Sequence, residues 1–219
     1  MIPSVAFRRL RWIGVAIVCV LVFVAALAVT PPRGPRSMRR FDPDRLAALE
    51  VGMWQAYYAK QRVRLFALLV TTLREQYRYS WAVAAREAFH LARAAARFGD
   101  LRGGYEAVLP DLERAYGTAK SWMHAGFDPV AVAHAELAWW VARRVPGENS
   151  PEHVGALMAS EYALLYEAPA GVVAEAARLR AEAAALRDAQ ARSPDWETIG
   201  LLLQQSYREL LAALSVVNV

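Results

Sequence analysis

The chain has 219 residues, a net charge of +5 and a single cysteine, and 56% of its residues are hydrophobic. The positive balance is local: residues 1–40 hold seven arginines and no acid, whereas residues 41–219 hold nineteen Lys or Arg against twenty-one Asp or Glu. That distribution argues against nucleic acid as a partner, since the larger part has no basic surplus with which to displace counterions from phosphates, and with Cys19 alone it also excludes an internal disulfide and a thiolate metal cluster.

Taken from the N-terminus, residues 1–11 form a basic tail carrying Arg8, Arg9 and Arg11, and residues 12–30 form an uncharged apolar run from Trp12 to Thr30. As a helix those nineteen residues reach about 28 Å, close to the hydrocarbon thickness of a bilayer. A cleavable signal peptide is the rival, because the basic start and Ala26-Leu27-Ala28 fit that pattern, but the run is longer than an ordinary signal core. The expectation is a single-pass membrane anchor with the bilayer as partner. Arg8, Arg9 and Arg11 before it, and Arg33, Arg36, Arg39 and Arg40 after it, are expected to meet lipid phosphates at the two interfaces. Three arginines against four nearly cancel the positive-inside rule, and the short Arg-bearing tail leans the remainder towards the extracytoplasmic side. Residues 31–41 are a linker rich in Pro and Arg, too proline-rich to continue the helix.

Residues 42–219 read as one all-helical domain of about seven or eight helices. Asp42-Pro43, Asp128-Pro129, Ser150-Pro151 and Ser193-Pro194 each join a capping side chain to a proline at the first helical position, where a missing N–H costs nothing. Ser80 is a further cap, Gly99 a stop signal, and Ala168-Pro169 another start. The helices predicted from these signals run over 43–60, 62–78, 81–98, 105–122, 129–144, 151–167, 170–191 and 194–216, with Pro110 kinking or splitting the fourth. The segment 129–144 is apolar nearly all round, which predicts a buried central helix. Arg143 and Arg144 close it where a helix dipole favours cations.

Buried polar residues are the candidates for function. In the first domain helix, Leu46, Leu49, Met53 and Tyr57 mark the apolar face, and Glu50 lies within it beside Trp54, Tyr57 and Tyr58. In 129–144 at least one of His134 and Glu136 must turn inward, next to Trp139 and Trp140. A buried carboxylate needs a partner, so a core ion pair or a bond to a phenol or indole is the structural reading of Glu50 and Glu136. The same residues among aromatics also describe a ligand pocket. The tryptophan pair reads first as core, and His124 and His153 as helix-end residues. Around 174–191, Glu175, Arg178 and Glu182 are spaced as charge pairs on a solvated face.

Glu87-Ala88-Phe89-His90 places a carboxylate and an imidazole three apart on a helix. It resembles the Glu-x-x-His motif of ferritin-like di-iron proteins, which implies metal ligation by Glu87 and His90 with Glu50, Glu136 and Glu182 as further carboxylates. A second Glu-x-x-His is missing, and His90 shares its stripe with Arg86, Arg93 and Arg97, poor neighbours for a divalent metal. Phosphate loops, His-Glu-x-x-His and Gly-x-Ser-x-Gly are all absent. From Phe41 onward, Leu49-Glu50-x-x-Met53-Trp54-x-x-Tyr57-Tyr58 and Glu136-Leu137-x-Trp139-Trp140 resemble a group of bacterial helical proteins without an assigned activity, which implies a self-contained module joined to a span. The expectation is a membrane-anchored interaction or scaffold module without a cofactor, contacting an unidentified protein partner. The alternative is a membrane-tethered enzyme, either carboxylate-metal or small-ligand-binding, using Glu50, Glu87, His90 and Glu136.

Overall fold

The computed structural model describes the backbone of residues 5–216 and the side chains of residues 12–216. The described residues are all-helical, with nine α-helices, one short 3-10 turn and no strand. The first, α1 (Val5–Val29), contains the apolar stretch Trp12–Val29, none of it buried, and is long and apolar enough to cross a bilayer; a signal sequence has the same properties. The side chains of Arg8, Arg9 and Arg11 lie outside the described residues.

Eight helices follow: α2 (Pro43–Tyr58), α3 (Arg62–Glu75), α4 (Trp81–Asp100), α5 (Leu109–Met123), α6 (Pro129–Ala142), α7 (Pro151–Leu165), α8 (Ala170–Ala189) and α9 (Trp196–Val216). The caps do what their chemistry requires. Asp42 accepts from the amides of Asp44 and Arg45, Asp128 from Val130, Ser150 from His153 and Ser80 from Val83, each satisfying an amide that a helix start leaves without a partner. The segment around Pro110 divides into a 3-10 turn, Tyr105–Val108, and α5, with the proline in the first turn of α5. His124 ends α5 in the left-handed conformation at φ 53°, and His153 lies exposed in the first turn of α7.

Three expectations are corrected. The last helix starts at Trp196 rather than Pro194, because Asp195 is the cap: its carboxylate accepts from both the amide and the hydroxyl of Thr198. Gly99 does not stop α4, which runs on to Asp100; a Cβ at Gly99 would lie 3.1 Å from the Tyr57 hydroxyl, so the glycine makes room for that side chain. Nor is α6 a central helix. Each domain helix packs on the next in sequence and α9 returns to α2, so the eight close into a ring. As a ring member α6 touches α5 and α7 and faces the interior, leaving only the stripe Val130, His134 and Ala138 exposed.

The apolar core is distributed around this ring. One cluster, including Leu46, Met158, Val173, Ile199, Leu203 and Leu210, binds α2 and α6 to α7, α8 and α9. A second joins α4, α5 and α6 through Phe98, Leu112 and Leu137, and a third joins α3, α4 and α5 through Leu73, Tyr79 and Met123. Small residues let the seams close: a Cβ on Gly155 of α7 would meet the Arg178 Cα of α8 at 3.2 Å, and Ala176, Ala177, Ala183 and Ala184 of α8 are buried.

Candidate functional site: a carboxylate-lined cavity inside the ring

The ring encloses a cavity of about 550 Å³. Every domain helix contributes to its wall: Trp54 from α2, Leu69 from α3, Glu87 from α4, Tyr116 from α5, Glu136 from α6, Glu161 from α7, Arg180 from α8 and Tyr207 from α9. Of the residues singled out in the sequence, Glu50, Trp54, Tyr57, Tyr58, Glu87, Glu136, Trp139 and Trp140 all line it. The tryptophans are wall rather than a ligand-stacking pair: Trp139 and Trp140 meet edge to face at 6.0 Å, and Trp140 packs on Phe98 at 5.0 Å.

Glu50 is a buried ion pair. Arg180 donates to its Oε1 through Nε at 3.0 Å and Nη2 at 2.6 Å, and the Tyr207 hydroxyl donates to Oε2. The Arg180 guanidinium also lies over the Trp139 ring, 5.1 Å from its centroid. Such a pair roughly offsets the cost of burying both charges, and losing either partner would strand the other.

Glu136 and Glu161 share Tyr116, whose oxygen lies 2.8 Å from Glu136 Oε2 and 3.3 Å from Glu161 Oε1; Trp139 Nε1 donates to the other oxygen of Glu161 at 2.5 Å. One phenol has one proton to give. Both contacts become hydrogen bonds only when one carboxyl is protonated and donates back to the phenol oxygen. Burial raises the pKa of both carboxyls and the charge of Glu161 raises that of Glu136 further, while Tyr116 and Arg180 partly offset this, so the pair retains a proton more readily than isolated glutamates would. Burial first, then Glu136 and Glu161, pushes the phenol well above its ordinary range, keeping it a donor.

Glu87 has less company. It is 5% exposed, its Oε2 has no hydrogen-bond partner, and burial pushes its pKa up to about 8 against partial relief from the Tyr79 hydroxyl and Arg86. The carboxyl is therefore mostly protonated at neutral pH. His90 diverges from it: Nδ1 lies 3.0 Å from Asp111 Oδ1, and the Arg93, Arg97 and Arg114 side chains gather on the same carboxylate. Asp111 is 1% exposed. Burial pushes its pKa up, but Arg93 and His90 pull it below the usual carboxylate value. Glu182 is equally remote from the wall, paired with Arg178 on the outer face of α8. Among the described residues no three His, Cys, Asp or Glu side chains come together closely enough for a metal ion, so the residues do not fit a ferritin-like centre.

Three further arginines line the cavity besides Arg180. Arg143 bridges Asp188 and the Tyr58 hydroxyl, Arg187 pairs with Asp188 while its guanidinium covers the Tyr58 ring, and Arg144 donates to the Phe98 and Leu101 carbonyls that end α4. The other arginines of interest lie away from this wall. Arg39 donates to the Tyr166 and Glu167 carbonyls, Arg36 stacks on Trp122 at 4.1 Å, and Arg33 and Arg40 are exposed.

Sequence reasoning missed Glu161, Arg180, Tyr116 and Tyr207. Glu161 had the signal that exposed Glu50, a carboxylate on the Val154, Met158, Leu165 stripe of a helix. Arg180 was hidden by its alanine-rich surroundings and by the nearby surface pairs of Arg178. No family model, curated protein or solved structure matches this chain.

Proposed function

We propose that the protein is a membrane-anchored binding protein that takes a small organic molecule into the cavity of its helical ring. The observation that carries this reading is the cavity itself. At about 550 Å³ it has the size of a small-molecule site, whereas packed interiors hold few voids larger than a water. Its wall combines an apolar aromatic body with a few placed polar groups, the composition of binding sites. Between an interaction module and a ligand binder, these features favour the second. In this reading α1 is retained as a single-pass anchor, residues 31–41 tether the ring close to the bilayer, and the ring lies on the extracytoplasmic side, following the short arginine-bearing tail.

The test uses the full chain in lipid nanodiscs and a variant that fills the cavity, Ala95→Phe. Ala95 faces the cavity from α4, so the ring has room to spare. Small molecules extracted from both proteins are compared by mass spectrometry, with thermal melts alongside. A molecule present in stoichiometric amount in the wild type and lost from a variant of equal or higher stability supports the reading. Two proteins equally empty, neither stabilised by any member of a chemically diverse library, return the chain to the interaction module. Phosphatase and fluorescent-protein fusions at the C-terminus test the topology, and fluorescence without phosphatase activity overturns it.

A further inference from the structure

Four glutamates face this cavity, and one of them, Glu50, has an arginine on it. Glu87, Glu136 and Glu161 form no salt bridge among the described residues; their partners are phenols and an indole. The other arginines of the wall, Arg143, Arg144 and Arg187, are engaged by Asp188, Tyr58 and the end of α4. Three of the four interior glutamates therefore have no cation bonded to them. The clearest unmet group of the interior is the buried Glu87 Oε2, an acceptor once the carboxyl is ionised. Arg187 Nε also has no hydrogen bond, but its guanidinium lies against the Tyr58 ring, 3.0 Å from the centroid.

The carboxylates are too dispersed to share a metal ion, yet a diffuse charge on an organic body does not need them to converge. Tyr79 stands beside Glu87 and Tyr77 lines the same cavity, so the wall mixes aromatic side chains with a carboxylate, the combination that recognises ammonium ions. An arriving cation would also draw Glu87 into its ionised form and give its free oxygen the donor it lacks. A carboxylate ligand would find the arginines of the wall already engaged.

We infer that the cavity selects an organic cation, an ammonium group on an aromatic or aliphatic body, with the charge seated at Glu87 beside Tyr79. This rests on the ligand-binding reading above, and the experiment separates the two. Phenylethyl, indolylethyl and hexyl bodies are each offered as the ammonium, the alcohol and the carboxylate. The full chain sits in nanodiscs of zwitterionic lipid, with empty nanodiscs as the blank, and binding is read by calorimetry. The ammonium forms bind at least tenfold more tightly than the matching alcohols, and the carboxylates most weakly. Glu87→Gln removes most of the preference for the ammonium over the matching alcohol, whereas Glu87→Asp keeps part of it. The ranking on the wild-type protein needs no variant to fold. Alcohols or carboxylates that match or exceed the ammonium forms overturn the cation and leave the ligand-binding reading standing. No binding by any of the nine compounds overturns both.

Discussion

Replacing Glu87 by glutamine makes the protein more stable, and the gain grows with pH. Below about pH 4.5, its ordinary value, the carboxyl is neutral in both folded and unfolded chains and contributes no difference. As pH rises the unfolded chain releases its proton, while the folded chain keeps it until about pH 8 because ionising in that dry corner is unfavourable. The folded state therefore loses ground throughout that window. At 1.36 kcal/mol per pH unit, the loss reaches about 3 kcal/mol at pH 7 and about 5 kcal/mol above pH 9. The glutamine side chain is isosteric, never ionises and can meet the Tyr79 hydroxyl, so the variant escapes the loss. For a chain of this size about 3 kcal/mol corresponds to roughly 6–12 °C in melting temperature. Melts of both proteins in nanodiscs from pH 4 to pH 9 provide the assay, with the difference near zero at pH 4 and widening to pH 8. A difference that stays flat with pH, or a variant less stable than wild type at pH 8, would refute the account of Glu87 as a carboxyl kept protonated by burial.

Three further outcomes follow from the geometry. Arg180→Leu leaves Glu50 buried with only Tyr207, which costs about 3–5 kcal/mol in denaturant melts, and combining it with Glu50→Leu restores part of the loss, so the two are non-additive. Asp111→Asn strips the carboxylate from His90, Arg93, Arg97 and Arg114. Since the folded pKa of Asp111 is depressed, its contribution is present above the ordinary value of 3.8 and lost as pH falls through the lower folded value, so the variant's deficit shrinks in acid while ligand binding is unaffected. Gly155→Ala forces α7 away from the Arg178 backbone, at a cost of about 1–3 kcal/mol in the same melts.

Helix positions were legible in the sequence because their signals are local. Asp42, Ser80, Asp128 and Ser150 announce starts by their own hydrogen bonds to nearby amides. Where two such signals compete, as at Ser193-Pro194 and Asp195, the side chain that reaches two donors of Thr198 wins. Glu50 was legible as an inward carboxylate from periodicity, whereas in α6 periodicity required only that His134 or Glu136 turn inward, and it is Glu136 that lines the cavity while His134 is exposed. The partners of Glu50 and Glu136 were not legible, because Arg180 is 130 residues from Glu50 and Glu161 is 25 from Glu136. The same limitation misassigned α6. A helix apolar nearly all round fits a central position, but it also fits a ring member with two neighbours and a cavity behind it, and only tertiary contacts separate these cases.

The ring explains why the interior is polar where most helical cores are not. Helices that pack in sequence order and close on themselves place their tight contacts in the seams, where Gly155 and the alanines of α8 admit close approach. The space within is then lined by long side chains, many of them tyrosines and tryptophans, which narrow it to the cavity without closing it. Their polar tips need partners, and Glu50, Glu136 and Glu161 supply acceptors to Tyr207, Tyr116 and Trp139. That exchange accounts for three of the four glutamates by packing alone. Glu87 is the remainder, with one oxygen unpartnered and a charge that burial suppresses. In the ligand-binding reading proposed above, the stability that Glu87 forgoes is the cost of keeping that oxygen for a ligand.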